Sequence, residues 1–160
     1  MKAAFPGSFD PPTLGHLNII RRAAGIFNEL TVVVAENRQK NYLFNADERV
    51  TMIRQLAKKY GNVSVAVCNS LIVDFLRKER IKVLIRGIRG TEDFSYEFEL
   101  SMMNKTLDSG IETVFMTTDP EYFTLSSSII KEIASFGGNV SGMVPPLVAR
   151  ALKKKYMTKK

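Results

Sequence analysis

The chain opens Met1-Lys2-Ala3-Ala4-Phe5-Pro6-Gly7-Ser8-Phe9-Asp10-Pro11-Pro12-Thr13-Leu14-Gly15-His16. Residues 2–5 read as a short strand, cut off by the breaker pair Pro6-Gly7. From Leu14 onward the period changes: Leu17, Ile20, Ala24 and Phe27 fall at i, i+3, i+7 and i+10, which predicts a helix over residues 14–28. A strand, a tight turn and a helix therefore occupy the first 28 residues. Gly7 is expected to let the backbone turn with its amides exposed, and the helix points its positive end into the same space, so the corner reads as an anion site. Ser8 adds a hydroxyl. His16 is the only histidine in the chain and stands about one turn into the helix, after Gly15, whose missing side chain leaves room for a polyphosphate. The competing reading of His16 is a half-buried residue satisfied within the corner; the glycine, the hydroxyl and the helix start weigh toward anion contact.

Outward from this unit the same alternation repeats. Strands are predicted at residues 30–35, 63–67, 82–85 and 113–117, and helices at 45–60, 71–79, 93–107 and 127–136. Asn45 with Glu48 three residues on resembles a capping box, and Gly137-Gly138 follows the helix that ends at Phe136. Pro145 and Pro146 open a last basic helix over residues 145–160. No repeat, linker or low-complexity segment is present. Five strands alternating with helices imply right-handed βαβ crossovers, hence an α/β chain built as one Rossmann-like open sheet of five parallel strands with flanking helices. A chain of 160 residues fits one domain, taken as residues 1–160. Ligands of such sheets bind beyond the carboxyl ends of the strands, which directs attention to the residues after each one.

Composition narrows the classes. The only cysteine, Cys68, excludes an intramolecular disulfide and a multi-cysteine metal cluster; within Val63-Ser64-Val65-Ala66-Val67-Cys68 it reads as a small core residue, and a reducing, cytoplasmic compartment follows. The start lacks the apolar run of a signal peptide, and no stretch approaches a membrane span. The net charge of +7 could mark a nucleic-acid binder. Five of the 23 basic residues, however, are Lys153, Lys154, Lys155, Lys159 and Lys160; without them 18 basic residues face 16 acidic ones. Most of the excess thus reads as a solvated helix end.

Two further loops carry chemistry. Val83-Leu84-Ile85-Arg86-Gly87-Ile88-Arg89 puts two guanidinium forks directly after a strand, either as an anion clamp or as solvated surface. Asp93, Tyr96, Glu97 and Glu99 follow on the next helix, solvated or paired with those arginines, with one contact to a purine or ribose as the sharper reading. Tyr122-Phe123-Thr124-Leu125-Ser126-Ser127-Ser128 leads into a helix. One serine would suffice as an N-cap; three favour a phosphate cradle.

Gly7-Ser8-Phe9-Asp10-Pro11 followed by Thr13-Leu14-Gly15-His16 resembles the signature of the nucleotidyltransferase superfamily. With Phe44-Asn45-Ala46-Asp47-Glu48-Arg49-Val50, the Ile85-Arg86-Gly87-Ile88-Arg89 run, residues 93–100 (DFSYEFEL) and residues 125–132 (LSSSIIKE), the chain resembles the bacterial phosphopantetheine adenylyltransferases over positions 5–132. Thr13 replaces the first histidine of much of the superfamily, and Ser8 replaces a threonine while keeping the hydroxyl. The resemblance implies transfer of the adenylyl group of ATP to 4′-phosphopantetheine by direct in-line attack, giving dephospho-coenzyme A and pyrophosphate. It implies that His16 contacts the ATP phosphates, the Ser8 and Phe9 amides hold phosphate, and Gly87, Ile88, Arg89 and Glu97 bind adenosine. Residues Tyr122, Phe123, Thr124, Leu125, Ser126, Ser127 and Ser128 complete the ATP site, Ser127 and Ser128 on the pyrophosphate side. Lys40 and Arg86 match positions that bind the acceptor phosphate, with Ser8 beside them, and Ile72 would line the pantetheine arm. Mg²⁺ riding on ATP, a homohexamer and feedback by coenzyme A are further implications, with neither nucleic acid nor membrane as partner.

Three alternatives stand beside this. Another phosphate ester could be the acceptor, in an adenylyl or a cytidylyl transfer. A nucleic-acid binder would use the lysine-rich tail, away from the glycines and hydroxyls. A nicotinamide-dependent enzyme is disfavoured because Gly-x-Gly-x-x-Gly is absent after the first strand.

Overall fold

The structure is a computed structural model that describes residues 1–37 and 39–157; Arg38 and the tail lysines Lys159 and Lys160 lie outside the described residues. In chain order the elements are β1 (Lys2–Gly7), α1 (Leu14–Ile26), β2 (Glu29–Ala35), α2 (Ala46–Ala57), β3 (Val63–Cys68), α3 (Ile72–Glu79), β4 (Val83–Ile88), α4 (Thr91–Leu107), β5 (Glu112–Thr117), a 3₁₀ turn (Pro120–Tyr122), α5 (Ser127–Ser135) and α6 (Pro146–Met157). The five strands form one parallel sheet in the order β3-β2-β1-β4-β5. The expected α/β open sheet is what the chain builds.

Alternation along the strands divides the core. Ala3 and Phe5 of β1, with Val32 and Val34 of β2 and Ile85 of β4, pack against Ile19, Ile20 and Ala23 of α1 and Ile53 of α2. Ala4, Val33 and Leu84 point to the opposite face and meet Val73 and Leu76 of α3. Cys68 is buried in this second layer, as its apolar run suggested. A third cluster packs Phe44 and Met52 against Ile130 of α5 and Val148 and Leu152 of α6.

Two boundaries differ from expectation in ways that matter. β1 does not stop at Phe5; Pro6 and Gly7 stay in register with Val33 and Val34 of β2. Toward β4 the pairing is confined to Ala3 and Ala4, so the donor that Pro6 lacks is not needed on that side. β4 runs to Ile88, and Arg86, Gly87 and Ile88 belong to the strand rather than to the loop after it. The ladder to β5 continues through Ile88↔Thr117 and overrides the glycine as a breaker. The helix ends fit better: Asn45 and Glu48 form a capping box, while Gly137 takes φ 76° and its amide closes on Ala134. The basic last helix is not a loose end as far as Met157, because Lys155 pairs with Glu48 at 2.8 Å and lies 5.5 Å from the Phe44 ring.

Candidate active site

β1 lies between β2 and β4, and the chain order reverses across it: β2 and β3 extend one way, β4 and β5 the other. Where β1 and β4 part after Ala4, a cleft of about 510 Å³ opens at the carboxyl ends of the strands. This is the switch point at which open sheets bind ligands.

The β1–α1 loop forms one wall. Its left-handed residue is Phe9, at φ 48°, and not Gly7. That conformation costs a non-glycine residue on the order of 1 kcal/mol or more, offset here by burying the ring edge-on to Phe5 (5.6 Å) and to His16 (5.0 Å). Gly7 is required for a different reason from the expected turn: a Cβ there would come within 2.9 Å of the Phe9 ring.

Two buried charges fasten this loop to its neighbours. Asp10, 4% exposed, accepts the Leu43 and Phe44 amides at 2.9 Å each, and Lys131 of α5 pairs with it at 2.9 Å. Arg49 of α2 is fully buried. It donates to the Ser8 carbonyl at 2.8 Å, to Phe44 at 3.0 Å and to Ala35 at 3.3 Å, pairs with Glu36, and sits 4.1 Å from the Tyr42 ring. Together they lock residues 8–10 to the segment after β2 that carries Lys40.

α1 starts under Thr13, whose side chain accepts the His16 amide at 3.2 Å. The box closes in the reverse direction through the imidazole: the Thr13 amide donates to Nδ1 at 3.0 Å, and the Thr13 hydroxyl also lies 3.0 Å from Nδ1. His16 lines the cleft. Burial first, and the Arg89 charge second, push its imidazole from 6.5 down to about 4.

Among the described residues four cations border the cleft, and three of them are already paired. Arg86 presents its fork to Glu97 of α4, with the Nη2–Oε1 distance 2.6 Å. Arg89 holds Asp93 at 2.8 Å and reaches the Leu125 carbonyl at 2.9 Å. Lys131 holds Asp10. Lys40 is exposed, and its ammonium has no partner among the described residues. Of the two readings of the acidic segment on α4, Asp93 and Glu97 take the arginine-paired one.

The β5–α5 loop closes the far side. Asp119 is tied to α1 by the Asn18 side chain and by Arg21 and Arg22 at 3.4 Å each. Ser126 stands at the N-cap of α5 without a side-chain cap bond, so the first-turn amides keep their donors. Ser127 donates its hydroxyl to the Pro11 carbonyl at 2.9 Å.

The cleft gathers Ser8, His16, Lys40, Arg86, Gly87, Arg89, Glu97, Leu125, Ser126, Ser127 and Ser128 from the residues singled out in the sequence. It does not gather all of them. The Phe9 and Ile88 side chains are core, Ile72 packs against the α3 layer, and Tyr122, Phe123 and Thr124 stand outside the lining, Phe123 over half exposed. Sequence reasoning gave no role to Asp10, Arg49, Lys131 or Asp119. Arg49 left one signal: it lies four residues before Ile53 and eight before Ala57, so its charge stands on the core-facing stripe of α2.

The cytidylyltransferase-like family matches residues 4–133. A phosphopantetheine adenylyltransferase of Clostridium botulinum is 48% identical over 158 residues, covering 99% of this chain and 96% of that protein. The protein of the same description from Dictyoglomus thermophilum is 48% identical over 159 residues, covering 99% and 97%. Among solved structures, one from Vibrio parahaemolyticus assigned as a nicotinate-nucleotide adenylyltransferase superposes with a TM-score of 0.68 over 99% of this chain and 92% of that one; at 14% identity it speaks for the fold alone. With a signature corner at the switch point and full-length relatives at this identity, the chain belongs to the phosphopantetheine adenylyltransferases of the cytidylyltransferase-like family.

Proposed function

We infer that this protein transfers the adenylyl group of ATP to 4′-phosphopantetheine, forming dephospho-coenzyme A and pyrophosphate, a step of coenzyme A biosynthesis. The observation that carries the reading is one cleft at the β1/β4 switch point into which His16, Lys40, Arg86 and the start of α5 converge. The hydroxyl that stands beside an imidazole here, Thr13 Oγ1 next to His16 Nδ1, belongs to the cap of α1, and the acceptor phosphate itself is the attacking group. An oxygen of the 4′-phosphate forms a bond to the α-phosphorus, the bond from that phosphorus to the β-bridging oxygen breaks, and its electron pair leaves on pyrophosphate. The acceptor enters as a phosphate anion, so no proton has to move. Positioning and charge stabilisation supply the catalysis.

In this reading His16 meets the α-phosphate and the Ser8 and Phe9 amides hold nucleotide phosphate. The pyrophosphate side rests on Ser127, Ser128 and the uncapped first turn of α5. Lys40 clamps the acceptor phosphate with Arg86, whose fork Glu97 holds ready. Gly87, Ile88, Arg89 and residues 122–126 surround the adenosine, with Ile72 toward the pantetheine arm. Asp10, Asp93 and Glu97 are each committed to a cation, so magnesium is proposed to arrive on the ATP phosphates and to be held there by phosphate and water.

A homohexamer is proposed on the same family ground. Its support within the chain is α4, where Tyr96, Met103 and Leu107 on one face and Phe98 and Met102 on another are 45–60% exposed. Feedback by coenzyme A at the same cleft and a cytoplasmic location complete the reading; no helix among the described residues is long and apolar enough to cross a membrane.

The deciding experiment measures pyrophosphate release from ATP and Mg²⁺ with 4′-phosphopantetheine, nicotinate mononucleotide or glycerol 3-phosphate as acceptor. Release with 4′-phosphopantetheine alone is expected. Release with either other acceptor would reassign the substrate, and silence with all three would refute adenylyl transfer.

A further inference from the structure

We propose that Thr13 is the positioning residue that fixes the tautomer of His16, placing its proton on Nε2 so that the imidazole meets the transferring phosphate as a neutral hydrogen-bond donor. The argument begins with what each atom can do. The Thr13 amide is only a donor, and it lies 3.0 Å from His16 Nδ1 with the geometry of a hydrogen bond. Nδ1 must therefore be the lone-pair nitrogen. The Thr13 hydroxyl, also 3.0 Å away, already accepts the His16 amide, so its own hydrogen is free to turn to Nδ1 as a second donor. A proton on Nδ1 would face both.

In a neutral imidazole the remaining proton then sits on Nε2, the only ring nitrogen not taken up by Thr13, on a side chain that lines the cleft. The ring plane is held as well, edge-on to Phe9 at 5.0 Å. The charges bordering the cleft act in the same direction. Arg89, Arg86 and Lys131 face it with Asp93, Glu97 and Asp10 as their partners, so among the described residues each carboxylate of the cleft is already held by a cation and is not free to hold an imidazolium. The division of labour follows: Lys40 and the arginines supply positive charge, whereas His16 supplies a directed hydrogen bond that needs no proton uptake to be ready. The capping box is also a catalytic support, since the atoms that start α1 are the atoms that orient the ring.

The catalytic half of this inference rests on the activity proposed above; the tautomer does not. With one histidine in the chain, nitrogen NMR of the ¹⁵N-labelled, ligand-free protein reads the imidazole without ambiguity. The expected spectrum has Nδ1 unprotonated and Nε2 protonated at neutral pH. Thr13→Val removes the hydroxyl and keeps the amide and the branch at Cβ. With one of the two donors to Nδ1 gone, the preference for the Nε2 tautomer is expected to weaken measurably, and kcat to fall on the order of tenfold to a hundredfold with the KM for ATP little changed. Thr13→Ser should restore both. Asn45→Ala, which breaks the other capping box on α2, controls for lost helix stability and should leave the imidazole spectrum as it was.

A wild-type imidazole that carries its proton on Nδ1, or that is doubly protonated at neutral pH, overturns the proposal. So does a Thr13→Val enzyme with unchanged spectrum and unchanged kcat. If the spectra come out as expected while no acceptor yields pyrophosphate, the activity reading fails and the tautomer stands.

Discussion

The β1–α1 loop and helix α4 face the same cleft and are held in opposite ways. In the loop, Phe9, Asp10 and Thr13 are each at most 4% exposed. Several of its polar atoms are tied down: Asp10 by two amides and Lys131, the Ser8 carbonyl by Arg49, the Pro11 carbonyl by Ser127, Thr13 by His16. Of the 17 residues of α4, only Ser101 is buried, and the helix shows large apolar side chains outward, with Tyr96, Met103 and Leu107 together on one face. α4 is tied to the rest by a few points: Glu97 to Arg86, Asp93 to Arg89, Lys105 to Glu112 and the Phe94–Phe115 ring contact. The conformation of the loop is thus specified within the chain, whereas the apolar face of α4 has no explanation inside it.

Asp10→Ala is the hardest blow to the first half of that comparison. It leaves the half-buried Lys131 unpaired and orphans the Leu43 and Phe44 amides, the second of them buried, which together cost about 3 kcal/mol. Urea unfolding checks it; a loss below about 1 kcal/mol would mean that the loop is held by apolar packing around Phe9 instead. Next comes His16→Ala. If the loop exists to present this donor, kcat falls on the order of 10²–10³-fold while the KM for ATP moves little, as for removal of one oxyanion donor. Equal, modest changes in both constants would make His16 a structural cap.

Acidification probes the same corner with a smaller effect. The unfolded imidazole protonates near 6.5 and the folded one at about 4, so between these values the unfolded state binds more protons. Stability due to His16 is therefore complete above 6.5 and lost as pH falls toward 4, by roughly 1–3 kcal/mol. Carboxylates titrate over part of that window, so the quantity to compare is wild type against His16→Gln. Wild type should lose more on going from pH 7 to pH 4, and parallel curves would show that the imidazole is not held neutral by the fold.

The division between loop and helix also accounts for what could be read in advance. The alternation of strand and helix, the β1–α1 corner and the Asn45 box depend on neighbours in sequence, and all are where the residues put them. The sequence reads Arg86 and Gly87 as following the strand, but a glycine breaks a strand only when no ladder holds it, and the register with β5 is a long-range fact. Arg49 and Asp119 act on carbonyls and side chains brought from distant parts of the chain, so no local motif announces them. Ile72 is placed toward the pantetheine arm by the family resemblance alone; in the fold it stands in the first turn of α3, half-buried against the second core layer.

The second half of the comparison gives the smallest expected effect and the sharpest contrast. Met103 and Tyr96 are each 60% exposed, so in an isolated chain their replacement by serine should change stability within about 0.5 kcal/mol. If other copies cover the face, the same substitutions should leave the dilute chain as stable as before and yet dissociate the assembly. Sedimentation velocity separates the two effects from thermal melts run at two protein concentrations, because a melting temperature that rises with concentration belongs to association. A wild-type assembly that becomes monomeric in Met103→Ser or Tyr96→Ser, with the dilute melt unchanged, would place the reason for α4's composition in another copy of the chain. A protein that is monomeric from the start, with a concentration-independent melt, would break the hexamer proposal and leave those side chains without a role in assembly.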